Sequence, residues 1–142
     1  MTKIVISGHG KFSLGMLSAC EMIFGKTEDI SAIPFIQGDT IDDLKSKYKE
    51  AMNDDDEEYL FLIDLFSGTP YNAIAQLIMD KDNVDMVTGT NLPLVLEAVS
   101  KSNEKLDSIV KDLRDCSKDS IKIFSEEKNK TDIEETDEDI SL

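Results

Sequence analysis

The only histidine among the 142 residues, His9, stands between Gly8 and Gly10 at the end of the apolar run Lys3–Ser7. An imidazole on a glycine-flanked turn after a strand is exposed and can be approached closely by another molecule. Imidazole titrates near neutral pH, so His9 is the first residue to examine for acid–base or nucleophilic chemistry. Taken by itself it could equally be a loop histidine with no role. Asp64 is the second residue of interest, because it interrupts the otherwise apolar segment Tyr59–Leu65. Burying a carboxylate there is costly unless it is paired. A hydrogen bond from one ring nitrogen of His9 to Asp64 would fix the tautomer and leave the other nitrogen free as a nucleophile. The third feature is Gly68-Thr69-Pro70. Threonine as N-cap with proline at the first helical position reads as a helix start, and Gly68 permits a tight turn ahead of it. The free N–H groups and positive dipole end of such a helix suit a phosphoryl group. The combination points to phosphoryl transfer through a phosphohistidine, with His9 and Asp64 as catalytic residues and Gly10, Gly68 and Thr69 binding the phosphoryl group.

These segments work together only if the fold joins them, and the hydrophobic pattern indicates how. Lys3–Ser7 reads as a strand. From Phe12 to Phe24, apolar residues recur at helical spacing (Phe12, Met16, Ala19/Cys20, Ile23), and Gly25 fits the stop. Ile30–Ile36 is strand-like, with Pro34 favouring an edge position. Thr40–Met52 is a charged amphipathic helix, and Tyr59–Leu65 reads as a central strand covered on both faces. Pro70–Met79 places Tyr71, Ile74, Leu77 and Ile78 on one helical face. Val84–Thr88 is a fourth strand, Leu92–Ser100 and Leu106–Asp115 are helices, and Ser120–Phe124 is a last short strand. Such alternation implies a three-layer α/β fold with a mostly parallel sheet and helices on both faces. In strand order 2-1-3-4, the carboxyl ends of strands one and three meet at the point where ligands bind, which brings His9 to Asp64.

The chain is the length of one domain and can bury a proper core. No apolar run approaches a membrane span, and the N-terminus enters a strand without a signal-peptide stretch, so no membrane insertion and a cytoplasmic location are expected. A net charge of −15 disfavours nucleic acid as a partner. Part of that charge is local to 125–142, where acids from Glu126 to Asp139 face only Lys128 and Lys130. That segment reads as a disordered acidic tail following a domain over 1–124. Cys20 and Cys116 are far apart, without a CxxC spacing or a neighbouring histidine. Cys20 falls on an apolar helical stripe as a small buried hydrophobe. No metal site and no cofactor are expected.

Four motifs, taken in order, resemble the IIA component of the mannose-type sugar phosphotransferase system. They are Gly8-His9-Gly10-Lys11-Phe12-Ser13-Leu14-Gly15 with Ser18–Gly25; Phe35-Ile36-Gln37-Gly38-Asp39; Leu62 through Ala73; and Gly89-Thr90-Asn91-Leu92-Pro93-Leu94 through Glu97-Ala98. The similarity spans about residues 1–124. Ser67 stands where the family usually has a second glycine and Tyr71 where phenylalanine is common.

The resemblance implies that the phosphocarrier HPr phosphorylates the residue matching His9, and that a IIB component accepts the group for uptake of sugar by a permease. It implies that Asp64 orients the imidazole and that the Gly68-Thr69-Pro70 turn holds the phosphoryl group. It further implies a fifth, antiparallel edge strand exchanged within a homodimer, a role open to Ser120–Phe124. Because the sequence ends in the acidic tail, IIB is expected to be a separate protein. The permease selects the sugar, which leaves mannose, fructose, sorbose and amino sugars open. Two other readings are a phosphocarrier subunit of dihydroxyacetone kinase and a phosphorylation-dependent regulatory interaction module. The role of Lys11 beside His9 stays open between supporting phosphate charge and simple solvation.

Overall fold

The computed structural model describes residues 1–134. Its elements run β1 (Thr2–His9), α1 (Phe12–Phe24), β2 (Ile30–Phe35), α2 (Ile41–Ala51), β3 (Glu58–Ile63), α3 (Thr69–Ile78), β4 (Val84–Val87), α4 (Leu92–Ser100), α5 (Leu106–Cys116) and α6 (Phe124–Glu134), with a 3₁₀ turn at Ser117–Asp119. The four strands form one parallel sheet in the order β2-β1-β3-β4. Ile4 sits opposite both Ile30 and Leu60, and Tyr59 opposite Val84. Pro34 lies on β2, an edge strand, where its missing N–H is tolerated.

Alternation along the strands divides the core in two. Ile4, Ile6, Leu60 and Leu62 face α1, α4 and α5, together with Cys20, Val95, Ile109 and Leu113. Val5, Phe61 and Ile63 face α2 and α3, packing on Leu44, Tyr48 and Ile74. Tyr59–Ile63 is buried throughout, as a strand covered on both faces must be. Two helical stripes are narrower than the spacing predicts. On α1, Ser13 and Cys20 are buried while Ile23 is half exposed. On α3, Ile74, Leu77 and Ile78 pack inward, whereas Tyr71 turns to the ring of Phe66, with centroids 5.1 Å apart.

Three sequence expectations need correction. Gly68, not Thr69, occupies the N-cap of α3. Thr69 is the first helical residue and no side chain caps this end. Ser120–Phe124 is not a strand in this chain: 120–123 is irregular and α6 starts at Phe124. The alternation Ile121-Lys122-Ile123 suits a strand, but a strand needs a hydrogen-bonded neighbour. The expected irregular tail is helical over 124–134, and residues 135–142 lie outside the described residues.

One buried polar tie joins α2 to the sheet beneath the end of β1. Ser7 Oγ donates to the Ile33 carbonyl at 2.6 Å and lies 2.7 Å from Tyr48 Oη. Serine has a single proton, so Tyr48 is the donor in the second bond. Burial pushes the Tyr48 phenol up to about 12, and the Asp64 carboxylate acts in the same sense. A folded-state pKa above the ordinary 10.0 means that the contribution of this phenol is complete below pH 10 and is lost as pH rises towards about 12. Urea denaturation across that window should therefore show a steeper loss of stability for wild type than for Tyr48→Phe. At neutral pH the variant should be less stable by about 1 kcal/mol. Parallel pH profiles would contradict the assignment.

Candidate functional site

His9 is the last residue of β1, and its ring projects over the carboxyl edge of the sheet with 46% of the side chain exposed. Asp64 follows directly after β3 and is only 14% exposed. Asp64 Oδ2 accepts from the His9 backbone N–H at 2.9 Å and lies 2.8 Å from His9 Nδ1. Oδ1 accepts the Leu65 backbone N–H at 2.9 Å. A carboxylate has no proton to give, so Nδ1 carries the hydrogen of the pair and the neutral ring keeps its lone pair on Nε2. The expected juxtaposition of His9 and Asp64 is present, and the carboxylate is paired as its burial requires.

Two glycines make this geometry sterically possible. A Cβ on Gly8 would fall 2.6 Å from Asp64 Cγ and 2.9 Å from Oδ2. A Cβ on Gly68 would fall 3.1 Å from His9 Cε1 and 3.3 Å from Nε2, and Gly68 has φ +99°, a conformation other residues rarely adopt. The free nitrogen therefore faces the N-terminus of α3. The first turn of α3 holds no acid, no side chain caps it, and its leading N–H groups are among those a helix leaves unsatisfied. Thr69 supplies a hydroxyl at the same end.

Gly10 follows His9 directly at the end of β1. Its N–H donates to the Phe35 carbonyl at 2.8 Å, which anchors the turn after β1. Residue type alone gives no sign of the role of Phe35. It lies opposite His9 in the β1–β2 register, and its ring meets the imidazole edge-on with centroids 5.7 Å apart. The parallel register at the carboxyl edge is the signal that locates it. Exposed Ile36, Leu65 and Phe66 add an apolar rim. Among the described residues there is no group of three or more metal-ligating side chains, and no helix is long and apolar enough to cross a membrane.

A family model for the mannose-type EIIA family, described as "PTS system fructose IIA component", matches residues 3–114. The chain belongs to this family. It is a phosphocarrier IIA component of the sugar phosphotransferase system, a phosphotransfer protein. Among its relatives, the fructose-specific EIIA component of Bacillus subtilis is 40% identical over 98% of this chain and 99% of its own length. The sorbose-specific EIIA component of Lacticaseibacillus casei is 34% identical over 78% of this chain and 82% of its own. The crystal structure of an EIIA component from Streptococcus agalactiae superposes with a TM-score of 0.82 at 33% identity, covering 88% of this chain and 98% of that one. These relatives favour the sugar-phosphotransferase reading over the dihydroxyacetone-kinase and regulatory-module readings.

The steric role of Gly8 is testable. Gly8→Ala should displace the Asp64 carboxylate and release Nδ1. Imidazole ¹⁵N spectra should then change from a predominantly Nδ1-protonated ring to a mixture of tautomers, while the fold is kept. An unchanged tautomer would show that Gly8 does not set the pair.

Proposed function

We propose that His9 Nε2 is the phosphoryl acceptor of this IIA component, with HPr as donor and a IIB component as the next acceptor. The observation that carries the reading is the division of the imidazole: Nδ1 is tied to Asp64 at 2.8 Å while Nε2 faces the open end of α3. The Nε2 lone pair attacks phosphorus in line with the phosphorus–nitrogen bond of phosphorylated HPr. That bond breaks with its electron pair returning to the donor ring, and a new phosphorus–Nε2 bond forms. Asp64 stabilises the positive charge that develops on the ring through Nδ1–H. The leading N–H groups of α3 and the Thr69 hydroxyl receive the phosphoryl oxygens. Transfer to IIB repeats the step in reverse. The 1–124 segment is the carrier unit, 125–142 an acidic appendage, and the setting cytoplasmic, where HPr operates.

His9→Ala should gain no phosphoryl group by intact mass with phosphoenolpyruvate, enzyme I and HPr, whereas wild type gains one that is labile in acid. Asp64→Asn should stay folded and be phosphorylated on the order of 100-fold more slowly. Labelling retained in His9→Ala, or wild-type rates in Asp64→Asn, would overturn the assigned roles.

The homodimer belongs to the same proposal. β4 is a sheet edge with unpaired backbone groups. A groove of about 530 Å³ runs along it, lined by Met86, Val87, Leu94, Val110, Leu113 and Ile121. Ile121 is 78% and Phe124 79% exposed, a large apolar surface for a lone chain. Residues 120–124 of a second copy would complete the edge as the fifth, antiparallel strand. Sedimentation should give a dimer for wild type and a monomer for Ile121→Asp/Ile123→Asp; a monomeric wild type would contradict the exchange.

A further inference from the structure

We infer that Lys11 supplies the positive charge that holds the dianionic phosphoryl group on His9, an inference that rests on the proposed acceptor role of that residue. The four loops at the carboxyl edge of the sheet span 10–11, 36–40, 64–68 and 88–91, and their charged residues are Lys11, Asp39 and Asp64. Lys11 is thus the one cation these loops carry. Asp39 is already satisfied, with Oδ2 accepting the Ile36 N–H at 3.1 Å and lying 3.7 Å from Lys47 Nζ. Asp64 is held by His9 and Leu65. Lys11, by contrast, is exposed and, among the described residues, has no ion-pair partner.

Its position fits the role. Lys11 is the N-cap residue of α1, two residues past His9, which limits the Cα separation to about 7 Å. That span is well within reach of a flexible four-carbon ammonium side chain. The first turns of α1 and α3 contain no acids, whereas α2 begins with Asp42 and Asp43 and a full capping box. The carboxylates at this edge, Asp39 and Asp64, are thus both already partnered, on a chain whose net charge is −15.

Phosphorylation adds roughly two negative charges at that rim, as it does on other side chains. A neighbouring ammonium stabilises the phosphorylated form over the free imidazole, and nothing in the unphosphorylated state offsets that preference. Lys11 therefore shifts the phosphoryl-exchange equilibrium towards this protein and away from HPr.

The equilibrium constant for exchange with HPr compares free species only, so contacts made in the docked complex cancel. It should be measured by quantitative intact mass for wild type, Lys11→Gln, Lys11→Glu and Lys11→Arg, at low and high salt. At low salt, Lys11→Gln should favour phosphorylated HPr by roughly threefold or more, and Lys11→Glu by a larger factor. Lys11→Arg should match wild type, and high salt should compress the differences by screening. Wild-type constants in both Lys11→Gln and Lys11→Glu, with wild type itself phosphorylated, would overturn the role of Lys11 and leave His9 as acceptor. A wild-type protein that takes no phosphoryl group from active HPr would overturn both.

Discussion

The bond between His9 Nδ1 and Asp64 Oδ2 is the constraint around which the rest of the site is arranged. A nearly buried carboxylate is tolerable only because three donors converge on it, two from His9 and one from the Leu65 backbone. Those donors exist because β1 and β3 are adjacent parallel strands that end at the same level of the sheet. The close approach requires the absence of a side chain at Gly8, and the path of the chain opposite Nε2 requires the same at Gly68. One hydrogen bond thus links strand order, two glycines and the choice of nitrogen left free to react.

A second layer supports the first. Tyr48 on α2 donates to Ser7, Ser7 donates to Ile33, and two residues later Phe35 meets both the imidazole and the Gly10 N–H. Helix ends are handled unequally. The N-terminus of α2 is closed by reciprocal Thr40 and Asp43 bonds, at 3.1 and 2.9 Å, which hold the Asp43 carboxyl below its ordinary range. The end of α3 has no such cap. A capping carboxylate there would occupy and repel the position where a phosphoryl group must sit. The missing cap costs some helix stability and leaves the site open.

Much of this is legible in the residues. The continuous apolar run of β3 marks a central strand, Pro34 marks an edge, and the period of the apolar positions fixes α1 and α4 closely. Pairing of His9 with Asp64 follows once strand order is inferred. Other features depend on what lies across space and leave little trace in local sequence. Thr69-Pro70 looks like a threonine cap, yet Gly68 takes that place because its backbone must pass the imidazole edge. Phe35 and Tyr48 read as ordinary apolar positions, since their roles come from register and from a partner on another element. Residues 120–124 carry a strand pattern but are hydrogen-bonded to no strand of the chain, so the pattern alone does not produce a strand. Segment 124–134 shows no apolar stripe, and local helical preference forms α6 without one.

The most direct test of the acceptor assignment is to phosphorylate ¹⁵N-labelled protein with phosphoenolpyruvate, enzyme I and HPr, and to read the phosphorus–nitrogen coupling in the His9 ring. The account predicts a single phosphoryl group coupled to Nε2, with Nδ1 still carrying its proton towards Asp64. Coupling to Nδ1, or no phosphoryl group on His9 with active HPr present, would contradict it.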